Sequence, residues 1–510
     1  MVSGVIDIGS NSIKLLIGEP SGGDIMILES LKNVVPIGRA TFLKGSISHE
    51  LINLTINTLE KYKKILKDYG IKQVFIIATT AVREADNRNI FVDTIRRKTG
   101  FEIEVLNVGD IVYYIDAYIS HKLKGIYPVG NKNLLIAEMG AGSLDISLLK
   151  KGFTLMNTGL ALGGLRFKQI MGKIDGSREE MLEALQEYVE NEFYYFKSRL
   201  PRIHVDDVFI IDENQELLKA VLPSTKVAAN FFQFSLEDVD KVIGELATKT
   251  PEEIARDYDM ALENTEALWP YMVILKMFFK LTGIARVHIL ETSLAEAVLA
   301  NKVLGLELSK RHNRSNQLLS VAHSICEQYN VNIDHARHVS HLVKTLFEGL
   351  SAQLGLEERD LLYLQLAAYL HDIGKFISNR SHHKHSEYII SSLNLLRLTD
   401  EEIRTIACVA RYHRRGDPQK AHLLYSSLSE DRQIAVQKMA SLLRMANALD
   451  HAHRQKIQGI KVINGTSNDI TLQVDTQMNF LLEKNDFLEK KELFERITGS
   501  RIRLVINESF

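Results

Sequence analysis

Five stretches of the 510-residue chain carry histidine and carboxylate in an order that suits a metal centre. His335 stands in "DHARHVSHLV", and His371 and Asp372 close the apolar run "LAAYLHDIGK". "HHKHSEY" offers His382, His383 and His385, "RYHRR" offers His413, and "MANALDHAH" offers Asn447 and Asp450. Imidazole and carboxylate together suit Mn, Fe, Zn or Ni. His335, His371, Asp372, His385, His413 and Asp450 are the expected ligands, with Asp450 three residues beyond Asn447 on one helix face and able to substitute for it. Neighbouring helical positions diverge by about 100°, so His371 and Asp372 reach a metal differently, one as terminal ligand and one as bridge. Arg337, Lys344, Lys375, Arg380, Lys384, Arg411, Arg414 and Arg415 lie close to these candidates in the chain. A metal ringed by bases favours hydrolysis of phosphoester or phosphoanhydride bonds, with Asp372 and Lys375 at the reacting group.

A second kind of chemistry is written in two glycine turns. "DIGSNSIK" runs from Asp7 to Lys14 and "EMGAGSLD" from Glu138 to Asp145, each between apolar runs. At an offset of 131 residues Gly9 falls on Gly140, Ser12 on Ser143 and Asp7 on Glu138. Glycine lets backbone N–H groups approach a phosphate closely, and serine adds a hydroxyl. Two copies on similar strand pairs point to an internal duplication. Two such hairpins facing across a cleft describe the actin-like (ribonuclease H-like, duplicated) α/β architecture.

The elements that position these residues fall into four segments. Residues 1–128 alternate strand-like and helical runs, and residues 129–308 repeat the cycle. The hydrophilic "SKRHNRSNQ" marks a junction, after which residues 309–456 read as wholly helical, and residues 457–510 return to a small α/β pattern. Trp269 and the tyrosine pairs at 113–114 and 194–195 read as packing residues. A net charge of -2 excludes a surface built for nucleic acid. Two cysteines form no disulfide framework. With neither a signal peptide nor a membrane span in the sequence, a cytoplasmic protein is expected.

"VIDIGSNSIKLLIGE", "ATTAVREADNR", the second glycine turn and "LALGGLRF" together resemble the exopolyphosphatase / guanosine pentaphosphate phosphatase family over roughly the first 300 residues. The helical segment resembles the HD metal-dependent phosphohydrolase superfamily, with "HDIGK" in full. The resemblance implies inorganic polyphosphate or a guanosine or adenosine polyphosphate nucleotide as ligand, Mg or Mn in the cleft, and, as is frequent in the family, a homodimer. Carried over by motif, Gly9, Ser10, Asn11 and Ser12 form the first phosphate loop, with Asp7 toward the metal. Arg83 and Asn87 meet phosphate, and Gly140, Gly142 and Ser143 form the second loop.

The departures from the family pattern cluster at the cleft. Glu138 stands for the family's metal-holding Asp, and Ala141 for a glycine. The stretch matching the family's catalytic carboxylate is "NVGDIV", where the carboxylate position falls on Ile111 and leaves Asp110 as the nearest candidate base. "FIIDENQELLK" and "SLAEAVL" lack the glycines the family has there. In the helical segment Asn447 stands where the superfamily commonly has Asp. The reading preferred on this basis places hydrolysis at the HD-type centre and ligand binding in the cleft. An active cleft using Glu138, Asp110 or Asp145, and a non-catalytic sensor, are the alternatives.

Overall fold

The runs "GVIDI" and "IKLLIGE" fold as an antiparallel hairpin, β1 (Ser3–Ile8) and β2 (Ser12–Ser21), with Ile8 opposite Ile13. β3 (Asp24–Val34) continues the meander, while β4 (Gln73–Ala78) lies parallel to β1 and is followed by the short β5 (Glu104–Val105). The sheet order is β3-β2-β1-β4-β5. β1 is a central strand covered on both faces, which is why it reads as nearly unbroken apolar sequence. This computed structural model describes the whole chain except residues 173–175, 213–214, 224, 229–230, 307–312, 394, 396–397, 415, 466–468 and 508–510. Arg415, the first four residues of the junction segment and the middle of "FIIDENQELLK" therefore lie outside the described residues.

The pattern then repeats. β6 (Asn133–Met139), β7 (Leu144–Lys150) and β8 (Phe153–Leu160) form a second meander, and β9 (Asp207–Asp212) lies parallel to β6 as β4 does to β1. β10 (Thr225–Ala228), β11 (Phe231–Ser235) and β12 (Arg286–Leu290) extend the order to β10-β11-β12-β9-β6-β7-β8. The two glycine turns are closed by the same bond, Gly9 N–H to the Ser12 carbonyl at 3.0 Å and Gly140 N–H to the Ser143 carbonyl at 2.9 Å.

The boundary at 128 does not separate packing units, because each sheet borrows a helix. The helix Val108–Lys122 packs on β7 and β8, where Ser147 donates to Asp116 at 2.7 Å and Thr154 donates to it at 3.2 Å. The helix Leu294–Leu304 returns to β1, β2 and β3, and the Asn301 amide donates to the Tyr114 carbonyl at 2.9 Å. Residues Met1–Arg314 accordingly form one compact unit. Trp269 and the Tyr113–Tyr114 pair pack as expected, but Tyr194 and Tyr195 are exposed.

Ser315–Phe510 form a second compact unit. Its helices include Ile333–Leu354, Glu358–Leu370, His382–Ser391, Asp400–Arg411 and Glu430–Ala448. β13 (Gly459–Asn464), β14 (Asp469–Asp475) and β15 (Arg501–Asn507) make a small sheet, and β13 presses Val462 against Gly349 of the bundle. The sheet is thus a layer of the helical unit, with the helix Leu481–Lys490 packed on Glu430–Ala448. Cys326 and Cys408 are free and buried. No described helix is long and apolar enough to cross a membrane.

Asp116 carries a consequence for stability. Burial pushes its carboxyl up to about 7, against the Ser147 and Thr154 hydroxyls, which favour the anion. Between about pH 4, the unfolded value, and about pH 7 the folded chain holds a proton that the unfolded chain has lost. Stability therefore falls as pH rises through that window and levels off above it, by on the order of 4 kcal/mol at most. Asp116→Asn, which mimics the neutral acid, is expected to melt several degrees above the parent at pH 8 and to match it at pH 4.5. Parallel melting curves for the two proteins at pH 8 would disprove this.

Candidate functional site

The two glycine turns meet. Asp7, Gly9, Ser10, Lys14, Thr80, Glu138, Gly140, Gly142, Ser143 and Asp145 are among the residues lining one cleft. The Thr80 and Ser143 hydroxyls share a hydrogen bond at 2.9 Å. A methyl group on Gly142 would lie 2.7 Å from Ser10 Oγ, so only glycine permits this approach. Arg166 pins the arrangement: Nε donates to the Gly142 carbonyl at 2.6 Å, Nη2 meets the Glu84 carboxylate at 2.5 Å, and the guanidinium lies over the Phe42 ring. Arg166 stands in "LALGGLRF", yet spacing alone gives it no partner. The space open to a water-sized sphere in this cleft is about 40 Å³.

Several expected phosphate contacts are committed elsewhere. Asn87 does not face the cleft, because its amide bridges the Ile47 backbone in both directions, at 2.9 and 2.8 Å. Arg83 donates to the Leu106 carbonyl at 2.9 Å and to Thr80 Oγ1 at 3.1 Å. Asp110 is the N3 residue of a capping box: it accepts from the Asn107 N–H at 2.8 Å, and its own N–H is held by the Asn107 side chain. That capping duty turns Asp110 from the cleft, which Ile111 lines instead. Ser12 is buried, and the Asn11 carbonyl accepts from the Val35 N–H. Asp145, buried at the cleft floor, has its carboxyl pushed up to about 6 by burial, with Arg83 and Ser143 opposing.

The helical unit gathers a second centre. The apolar helix Glu358–Leu370 delivers His371 as its C-cap and Asp372 at the start of the short helical turn Ile373–Phe376. Gly374 in that turn lets the helix His382–Ser391 cross, since a methyl group there would stand 2.1 Å from the His382 carbonyl oxygen. His371 Nδ1 donates to the Ala368 carbonyl at 2.8 Å, His382 Nδ1 to Asn379 at 3.1 Å and His413 Nδ1 to Ala410 at 2.6 Å. A carbonyl only accepts, so each ring carries its hydrogen on Nδ1 and turns a lone pair on Nε2 inward. Burial lowers the affinity of all three rings for a further proton, that of His371 to about 4.

The inward atoms converge on Asp372. His382 Nε2 lies 3.1 Å from His413 Nε2 and 3.3 Å from Asp372 Oδ1, and His371 Nε2 lies 3.6 Å from Asp372 Oδ2. Two lone-pair nitrogens cannot hydrogen-bond to each other. A spacing near 3 Å is that of adjacent ligands on a cation with bonds of about 2.1 Å. Asp372, His382 and His413 place ligand atoms within 4.8 Å of one another, as do His335, Asp372 and His453. These residues fit a divalent metal, with Asp372 common to both sets. Burial opposes ionisation of Asp372, but the Lys375 ammonium, which pairs with it, acts to hold its carboxyl below the usual range.

Three expectations are corrected here. His382, not His385, faces the centre; His385 lies farther along the same helix and packs its Cβ beside Gly374. Asp450 supports a ligand rather than joining the inner set. Its Oδ2 accepts from His335 Nδ1 at 2.8 Å, and its Oδ1 from the Arg454 and Gln455 N–H groups at 3.1 and 2.8 Å. Asn447 Oδ1 sits 3.2 Å from His335 Nε2. His453, which sequence reading passed over, stacks on His335 at 3.6 Å with φ of 54°. Lys375 pairs with Asp372 at 2.5 Å. Of the surrounding bases, Lys375 and Arg414 line the cavity, while Arg337, Lys344 and Arg411 pair with Asp334, Glu348 and Glu387.

Comparison with known proteins places this geometry. Residues 16–305 match the model of the Ppx/GppA phosphatase family, and residues 297–496 match Ppx/GppA phosphatase, domain III. The chain belongs to the Ppx/GppA phosphatase family. It is similar to the guanosine-5'-triphosphate,3'-diphosphate pyrophosphatase of Aliivibrio fischeri (strain ATCC 700601 / ES114), at 21% identity over 92% of this chain and 91% of that one. The same-named protein of Vibrio vulnificus (strain YJ016) is 20% identical over 92% and 91%. Among solved structures, the Aquifex aeolicus Ppx/GppA family member superimposes with a TM-score of 0.52 at 21% identity, covering 61% of this chain and 99% of that one. An exopolyphosphatase from Cytophaga hutchinsonii gives 0.52 at 20% identity, covering 60% and 98%. These likenesses establish the actin-like fold of the family.

If the helical centre holds a metal as its donors suggest, His382→Ala and His413→Ala will lower Mn²⁺ retention at least tenfold in equilibrium dialysis followed by metal analysis. His385→Ala will retain it. Equal retention in the His382 and His385 variants would refute the ligand assignment.

Proposed function

We propose that this chain hydrolyses phosphoanhydride or phosphoester bonds of a guanosine or adenosine polyphosphate nucleotide or of inorganic polyphosphate in the cytoplasm, with the helical HD-type centre as the reacting site. The observation that carries the proposal is the convergence of three tautomer-locked imidazoles on Asp372 in a cavity with about 450 Å³ open to water-sized spheres and lined by Lys375 and Arg414. His335, Asp372 and His453 would hold one divalent ion and Asp372, His382 and His413 another, from among Mn, Fe, Zn and Ni. A divalent ion supplies Lewis-acid polarisation of phosphoryl oxygens and acidifies water. The chain's own groups do the rest. Asp450 orients His335, the backbone carbonyls of residues 368, 379 and 410 orient the other rings, and Lys375 and Arg414 direct N–H groups at phosphoryl oxygens.

The cleft serves in this reading as the holder of the polyphosphate chain, through the turn N–H groups and the hydroxyls of Ser10, Thr80 and Ser143. A second reading makes the cleft the enzyme with Mg or Mn, and one observation favours it. Asp145, with its carboxyl near 6, lines the cleft beside Asp7 and Glu138, and a general base works best with a pKa close to the operating pH.

Phosphate release from long-chain polyphosphate and from guanosine pentaphosphate, with Mg²⁺ or Mn²⁺, separates the two. Under the first reading Asp372→Ala lowers release by 10² or more, while Ser143→Ala mainly raises KM. Loss of release in Ser143→Ala with full activity in Asp372→Ala would transfer the chemistry to the cleft.

A further inference from the structure

One wall of the helical cavity comes from outside the histidine-bearing helices. The helix Leu481–Lys490, which follows β14, presents Asp486 and Lys490 to the cavity that Asp372, His413 and Arg414 line. The helix is firmly seated. Phe487 is fully buried, and the buried Glu483 accepts from Lys456 Nζ at 2.9 Å and from the Ala452 N–H at 3.2 Å. Those bonds tie it to the loop after Asp450 that also carries His451 and His453.

Lys490 is an unusual lysine. Its side chain is 10% exposed, and its pair with Asp486 is loose, at 3.4 Å. Asp486 is also claimed by His451 at 3.1 Å. Burial, and the nearby Arg444 and Arg414, push the ammonium's pKa down, while Asp486 pushes it up. A cation withdrawn from water beside two guanidinium groups is costly unless an anion reaches it. The cavity open in front of it has room for one, and Lys375 and Arg414 border the same space.

We propose that Lys490, with Arg414 and Lys375, binds a phosphate group of the substrate, so that the C-terminal α/β layer is a working wall of the pocket. The proposal rests on the reading of this cavity as a phosphate site. The ligand class is a di- or polyphosphate: two or three converging cations suit a multiply charged anion, and Arg414 can bind it through two parallel N–H groups. Lys490 contacts a part of the ligand away from the metal donors and acts on affinity rather than on bond cleavage.

The test is calorimetric titration of the metal-free full-length protein with inorganic pyrophosphate. Lys490→Met keeps an unbranched side chain one atom shorter and removes its charge. Lys491→Met is the control, because Lys491 pairs with Glu495 at 2.9 Å and does not line the cavity. Any binding in the cleft is common to all variants and cancels in the comparison. The expected result is at least a tenfold loss of affinity in Lys490→Met, no change in Lys491→Met, and affinity restored in Lys490→Arg. Equal affinity in Lys490→Met and the parent, or equal losses at 490 and 491, would overturn the proposal. Should Lys490→Met fail to fold, Arg414→Gln takes its place, and unchanged pyrophosphate affinity there overturns it as well. The outcomes also separate the two levels of the argument. Loss of pyrophosphate affinity in Lys490→Met, with phosphate release intact in Asp372→Ala, keeps the anion site and removes the hydrolysis from it.

Discussion

A carboxylate withdrawn from water sets the terms for the helical unit. Asp372 sits at the end of an apolar helix, where the Lys375 ammonium favours its ionised form and histidines from several elements are brought beside it. The neighbouring turn supplies Lys375, the crossing helix supplies His382, and the end of Asp400–Arg411 leads into His413. The backbone is bent to this purpose. Gly374 lets one helix pass against another at a distance no side chain would tolerate, and three carbonyls near helix ends fix the ring orientations. The polar groups left over at helix termini are thereby turned into the supports of a ligand set.

The cleft follows a different logic. Its two turns are near copies, closed by the same backbone bond and set on the same strand arrangement. What differs between them is side-chain commitment. The duplicated frame survives substitutions such as Glu138 and Ala141 because strand pairing and the Gly142 approach do not depend on them. Arg166 ties the two sides of the cleft together by bridging Glu84 and the Gly142 carbonyl while covering Phe42.

The strand pattern and the paired turns were legible because alternation and glycine spacing are local properties of the chain. The convergence of His335, His371, Asp372 and His413 was legible in type, since few arrangements other than a metal centre gather such residues. The choice of His382 over His385 was not. It depends on which ring the helix start turns toward Asp372, and that is decided by a crossing at Gly374. Asp110 and Asn87 misled for a related reason: short polar side chains serve backbone capping as readily as ligands, and sequence cannot rank the two uses. Asp450 was found but misassigned, because a supporting carboxylate and a ligating one have the same spacing. Lys490 lay beyond reach, as it comes from a segment with no motif of its own.

The exchange of helices between the two sheets bears on how the protein is made. The face of β1 and β2 is completed by Leu294–Leu304, which leaves the ribosome almost 300 residues after the strands it covers. Until then the first sheet packs against Leu59, Tyr62, Phe91 and Ile95 of its own helices but lacks the cover that Leu294–Leu304 brings. Contacts of such sequence separation are slow to form and leave intermediates prone to association. For this chain, the residues before 128 do not carry all the packing that their own sheet needs. The N-terminal sheet is synthesised first, yet its packing is completed only by a helix that follows the last strand of the second sheet.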